Sequence, residues 1–347
     1  MLWRGSKQER HPQIRNARHG VHSRSRRSTA FIIGIDPHKG SHTAAVIDGD
    51  ERVVGMFALR AMRTECPRGR VLATGAWPRA PSVSVEISLP NVHPVRVAAA
   101  TRVTFVGSGD AFGSGGRLQT CVLVEDGDWR VLLDCGATSL VGLKAAGVDP
   151  ASIAAIVVSH LHGDHFGGLP FFLLDAQLNS TRSRPLLLLG HSDLQSRLRA
   201  TMQLLFPGSQ RALDLVDVRF VEIISGCVTK MDEGASIEVF DVEHFCGSPP
   251  FAVRLTTPSG KVIAYSGDTE WTDTLLEASH DADLFIVETY FYDKSIRWHL
   301  DYTTLAANLP RVTVRQVIGT HLSADMLAHV STAGIRTACD GMTVDLG

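Results

Sequence analysis

The segment Ser159-His160-Leu161-His162-Gly163-Asp164-His165-Phe166-Gly167-Gly168 constrains this chain more than any other stretch. It follows the apolar run Ile153–Val158, so a buried strand stops in an imidazole-dense loop, at the kind of sheet edge where sites are built. His160 and His162, as alternate residues, can point to one side of an extended segment. Asp164 and His165 come after a glycine that lets the chain turn. A lone loop histidine is ordinarily a solvated one. Three imidazoles crowded beside a carboxylate are costly to bury without a metal, and four such ligands within six residues can serve two adjacent ions. With no thiolate in the set, the donors suit zinc, with manganese or iron as alternatives.

The chain of 347 residues can hold two domains of ordinary size or one large one with an appendage. A hydrophobic share of 44% and a net charge of -2 argue against general disorder and against a broad polyanion-binding surface. That average hides a basic start. Residues 1–28 contain eight Lys/Arg against the single acid Glu9, lack apolar periodicity and read as a disordered segment. Residues 29–66 read as a meander of three strands, Ala30 to Ile35, Thr43 to Ile47 and Arg52 to Leu59. Residues 67–100, rich in Pro, Arg and Ala, read as a linker. No apolar run approaches the length of a membrane span, and FIIGI breaks at once into charged DPHK, so no secretory leader is expected. Six cysteines without a CxxC pair read as free thiols, and the expected compartment is the cytoplasm.

From Thr101 the pattern changes. Strands are expected at 102–106, 119–125, 129–134, 154–158, 185–189, 217–224, 236–242, 251–256, 261–266, 283–287 and 315–319, with helices at 138–146, 168–178, 192–205, 272–279 and 302–309. Hairpins mixed with helices imply an α+β sandwich, two sheets packed face to face with helices outside. Three further candidate ligands sit where expected strands stop: His244 after Ile237–Val242, Asp268 after 261–266, and His321 after 315–319.

The HxHxDH segment followed by these three in order resembles the metal motifs of the metallo-β-lactamase superfamily. VTFVGSGDAFGSGGRLQTC at 103–121 and VETYF around Glu288 are similar to its ribonuclease Z-like branch. The resemblance covers about residues 101–345 and implies the αββα sandwich, with a poorly structured extension ahead of a hydrolase domain at 101–347. It further implies one metal held by His160, His162 and His244 and a second by Asp164, His165 and His321, with Asp268 and a hydroxide between them. Asp164 would also orient that hydroxide, and Asp110 would support a ligating histidine. His299, before a helix with Asp301 as its N-cap, is similar in position to the proton donor of ribonuclease Z-like members, and Glu288 to its acidic partner. Family members often pair, so a homodimer is expected by analogy.

Transfer-RNA-processing members carry a long basic arm, in short forms between the third histidine and the bridging aspartate. Here only twenty-three residues separate His244 from Asp268, filled by two expected strands and their turn. Without the counterion release an arm supplies, a small phosphodiester fits better, a cyclic nucleotide or a short nucleic-acid end. An acyl hydrolase acting on a lactone or thioester is the alternative within enzymes. Residues 31–63 resemble a truncated start of a DEDD-type insertion-sequence transposase, with Asp36 matching its first acid, which gives an alternative of another class, a transposon-derived DNA-binding protein.

Overall fold

A computed structural model describes residues 33–34, 42–47, 53–59, 100–179, 182 and 184–347. The readings for 1–28, for the linker at 67–99 and for Asp36 lie outside the described residues. The chain divides into two compact units, Met1–Ser88 and Leu89–Gly347. In the first, β1 (Ile33–Gly34), β2 (His42–Ile47) and β3 (Val53–Leu59) form an antiparallel sheet in that order, with a register shift between Val46 and Ile47.

The second unit is built from two seven-stranded sheets. Strands β4 (Thr101–Gly107), β5 (Cys121–Asp126), β6 (Trp129–Leu133), β7 (Ala155–Val157), β8 (Leu186–Gly190) and β9 (Val218–Glu222) form the first sheet. The second holds β10 (Val228–Lys230), β11 (Ser236–Asp241), β12 (Phe251–Thr256), β13 (Val262–Tyr265), β14 (Leu284–Glu288), β15 (Val317–Thr320) and β16 (Arg336–Thr337). The final strand, β17 (Thr343–Leu346), returns to pair antiparallel with β4. Each sheet begins as an antiparallel meander and ends in parallel strands: β6 to β9 in the first, β13 to β16 in the second.

Side-chain alternation sorts the core into layers. Val103, Phe105, Val122, Val124, Val131 and Leu133 meet Ile237, Val239, Val253, Leu255, Ile263 and Ile286 between the sheets. The opposite faces take Leu123, Leu132 and Ile156 outward, under α1 (Ser139–Ala145), α3 (Leu169–Asn179) and α4 (Leu194–Leu205), following the single-turn α2 (Gly163–Phe166). Beyond α5 (Ala212–Leu215), the second sheet's outer face, Ala252, Ala264, Phe285 and Val287, is covered by α6 (Thr274–Ser279) and α7 (Tyr302–Asn308). One further turn, α8 (Ala324–Ala328), follows β15. A period of two along each strand thus gives an inner and an outer core, the α+β sandwich expected.

Corrections fall on short elements. β10, β16 and β17 were not expected, because two to four residues at a sheet edge carry no periodic signal and exist through their pairing. In β17 only Val344 and Leu346 turn inward, onto the core that β4 bounds. No helix among the described residues is long and apolar enough to cross a membrane. The described cysteines carry free thiols, Cys121, Cys135 and Cys246 buried and Cys227 and Cys339 exposed.

Candidate metal centre

Parallel strands send their carboxyl ends to one sheet edge, which is where open α/β sheets bind ligands. His160 follows β7, Asp268 follows β13, Glu288 ends β14 and His321 follows β15. His162 is the N-cap residue of α2, with extended backbone (φ -80°, ψ 152°) and no side-chain capping bond. Gly163 does not make the turn that follows. It begins α2 in ordinary helical backbone, a Cβ there would meet nothing within 4 Å, and that helical turn carries Asp164 and His165.

All seven candidate metal-ligating residues converge. The donor atoms of His160, His162 and His244 lie within 4.8 Å of one another, as do those of Asp164, His165, Asp268 and His321. His162 Nδ1 and His244 Nε2 are 3.0 Å apart. Asp164 Oδ2 is 3.3 Å from His165 Nε2 and 3.2 Å from His321 Nε2. Asp268 lies between the groups, its Oδ2 3.9 Å from His160 Nε2, 3.3 Å from His165 Nε2 and 3.4 Å from His321 Nε2. His160 Nε2, His165 Nε2 and Asp268 Oδ1 are buried without a hydrogen-bond partner, a costly state for bare polar atoms and the normal state of metal ligands. A divalent metal fits this donor set.

Electrostatics point the same way. Burial pushes the His160 imidazole well below its usual range, and His165 beside it adds to the effect, so it stays neutral with a free lone pair. Burial, joined by nearby His244, also lowers His162. Burial opposes charge on His165 and His321 too, but Asp268 and its neighbours outweigh it, raising His165 well above the usual range and His321 to about 10. Burial would raise Asp268, yet His165 and His321 hold it far below the carboxylate range. Protons here stand in for the positive charge that two carboxylates require.

The partners behind these groups fix their orientation. Asp134, directly after β6 and fully buried, accepts from Ser159 N at 2.7 Å, Ser159 Oγ at 2.8 Å, His165 Nδ1 at 2.7 Å and Tyr265 Oη at 2.7 Å. Ser159 Oγ in turn lies 3.1 Å from His160 Nδ1. One carboxylate therefore directs both imidazoles, leaving their Nε2 atoms facing the centre. Sequence reasoning missed Asp134 and named Asp110 for this work. Asp110 instead closes its own loop, accepting from Phe112 N at 3.2 Å, Ser114 N at 2.9 Å and Ser114 Oγ at 2.7 Å. The glycine-rich loop does approach closely: Gly109 bridges to Leu322, and Ser108 O accepts from His321 N at 3.1 Å.

Glu288 and His299 also meet. Glu288 Oε1 accepts from His299 Nδ1 at 2.5 Å and lies 3.3 Å from His321 Nδ1, while its Oε2 accepts from Thr269 N at 2.7 Å and Leu300 N at 3.3 Å. Burial lowers His299, and the Glu288 bond more than offsets it, so the imidazole is raised above its usual value. Tyr290 stacks on the His299 ring, centroids 4.6 Å apart. Asp301 caps α7 as expected, accepting from Thr304 N at 2.8 Å. His244 Nδ1 donates to Trp298 O at 2.7 Å. Asp134, Trp298 and His321 have left-handed backbone, φ 61°, 77° and 59°, a strain held here by the contacts each one makes.

The family described as "Anti-Pycsar protein Apyc1" matches residues 101–339. Ribonuclease Z of Methanosarcina acetivorans is 24% identical over 274 residues, 64% of this chain and 88% of that protein. Anti-Pycsar protein Apyc1 of Saccharibacillus brassicae is 27% identical over 173 residues, 49% of this chain and 68% of that protein. Among solved structures, the metallo-β-lactamase fold protein YhfI of Bacillus subtilis superposes with a TM-score of 0.58 at 19% identity, over 71% of this chain and 99% of that one. The αββα sandwich is thus the metallo-β-lactamase fold.

Proposed function

The chain belongs to the anti-Pycsar protein Apyc1 family, and from that premise we propose that this metal-dependent phosphodiesterase-type hydrolase cleaves the phosphodiester of a cyclic nucleotide. The observation that carries the reading is the convergence of two His- and Asp-rich donor groups on one edge beside the His299–Glu288 pair. In this reading His160, His162 and His244 hold one divalent ion, Asp164, His165 and His321 a second, and Asp268 stands between the two. Zinc suits these donors best. Two such ions, when bound, supply a water ionised near neutrality and positive charge facing the phosphoryl oxygens.

The chain's own residues do the rest. Asp134 and Ser159 hold the imidazoles in the tautomer that presents Nε2. Asp164 orients the attacking water, and His299, its Nδ1–H committed to Glu288, presents Nε2–H to the leaving oxygen. The hairpin of β12 and β13 fills the interval between His244 and Asp268, so no RNA-holding arm is inserted there. That favours a substrate whose contacts end near the scissile bond. Pairing of two chains remains an expectation of the same reading.

The full chain, purified with its metal content measured, should hydrolyse cyclic nucleotides and bis-p-nitrophenyl phosphate. His162→Ala should abolish turnover and reduce bound metal, while His299→Ala should keep the metal and slow poor-leaving-group phosphodiesters by roughly 10²–10⁴-fold. Hydrolysis of lactones or thioesters without phosphodiesters would overturn the reading.

A further inference from the structure

Two aromatic residues flank the centre at positions that the chemistry above does not use. Phe245 follows His244 directly and is 71% exposed, so its ring is open to a ligand. Trp298 immediately precedes His299, and the Phe245 and Trp298 rings lie 6.1 Å apart with a tilt of 38°. The rings of His244 and His299 are 5.1 Å apart, and His244 Nδ1 donates to Trp298 O, so the two segments that carry the aromatic pair meet at a candidate metal ligand and the candidate proton donor. Arg297 stands over the indole, 4.2 Å from its centroid.

The backbone at Trp298 sharpens the point. Its left-handed φ of 77° lets its carbonyl accept from His244 while its N–H donates to Glu270 Oε1 at 2.8 Å. Glycine would make both bonds without strain. The largest side chain occupies the position instead, with its ring laid against Phe245 and under a guanidinium.

We propose that Phe245, backed by Trp298, is the platform on which the base of a nucleotide substrate stacks. The inference deepens the cyclic-nucleotide reading and rests on it. In a nucleotide the base is one sugar away from the phosphate, and the platform is one residue away from both His244 and His299 in the chain. Stacking on an aromatic face needs no particular base edge, and Arg297 anchors the supporting indole by cation–π attraction.

The test compares binding of AMP and of ribose 5-phosphate to the full-length, metal-loaded protein by calorimetry. Phe245→Leu and Trp298→Gly should each weaken AMP about tenfold, a typical loss for one stacked base. Both should leave ribose 5-phosphate unchanged, and Phe245→Trp should keep AMP affinity at the starting level. Equal weakening of the two ligands, or no change in AMP, would overturn the platform. A drop in molecular mass with AMP binding intact would overturn it too, in favour of a contact between copies of this chain. Turnover of cyclic AMP by the unmodified protein separates the two readings. Its absence defeats the proposed function itself, whereas turnover with normal AMP binding in the variants defeats the platform alone.

Discussion

Asp134→Asn is the most demanding perturbation of this centre, because it changes one atom and keeps the shape. Asparagine tolerates the left-handed backbone of this position, so the φ of 61° is not the source of any effect. The carboxylate accepts four hydrogen bonds, three on Oδ2 and one on Oδ1. The amide retains one acceptor oxygen. Turned towards Ser159 Oγ, His165 Nδ1 and Tyr265 Oη, it sets its NH₂ against the Ser159 N–H; turned the other way, its NH₂ faces the other three groups. At least one buried N–H loses its partner at about 1–3 kcal/mol, and the surviving bonds lose the charge that roughly doubles their strength. The total is about 3–5 kcal/mol, which for a domain of this size lowers the melting temperature by roughly 6–20 °C. In the second orientation His165 can avoid the clash only by moving its proton to Nε2, the atom needed for the metal, and in the first it loses the charge that held its proton on Nδ1. Zinc affinity should therefore fall by about 10–100-fold, as when a ligand's orienting partner is removed. Calorimetric unfolding of the chelator-treated protein and zinc competition with a chromogenic chelator measure both effects. A variant that melts within about 1 kcal/mol of the parent and holds zinc equally well would refute the role given to Asp134.

Other consequences are equally direct. A Cβ on Gly136 would stand 2.2 Å from Asp164 O, so Gly136→Ala should displace the α2 turn and lose both metal and activity; Gly163→Ala meets nothing and should stabilise the fold by about 0.5–1 kcal/mol, measured by urea unfolding with bound zinc unchanged. His299 acts as an acid only while protonated, so turnover of poor-leaving-group substrates should fall as pH rises through its raised pKa. Glu288→Gln removes the main raising interaction and should move that alkaline limb to lower pH in the pH–rate profile. Without metal, a His321 raised from 6.5 to about 10 stabilises the fold fully below pH 6.5 and loses that contribution as pH climbs to about 10. The melting temperature of chelator-treated protein should decline over that window, and zinc-loaded protein, whose imidazoles are already deprotonated, should not show the decline.

Most of the centre was legible because each ligand announces itself locally. His160, His244, Asp268 and His321 all come just past apolar runs that could only be buried strands, and polar side chains at such ends need a partner. Glu288 and His299 were legible for the same reason, one ending β14 and the other lying just ahead of a capped helix. Asp134 carried a comparable signal, a lone carboxylate after Val131–Leu133, but nothing nearby in the chain shows what it serves. Its four donors come from residues 25 to 131 positions away. Asp110 was misassigned by the opposite error, since an aspartate in a glycine-rich loop serves its own turn as readily as a distant ligand. The aromatic pair of Phe245 and Trp298 was invisible for want of any periodicity.

By itself, then, the order of residues determined which donors exist, that each lies at a strand end, and that the strands alternate enough to make two-faced sheets. Only the tertiary structure decided that His162 and His244, 82 residues apart in the chain, stand 3.0 Å from one another, and that one buried carboxylate steers two imidazoles at once. The reason is physical: periodicity and capping are local, whereas the pairing of strand beside strand and the packing of sheet on sheet are decided by contacts between segments far apart in the chain.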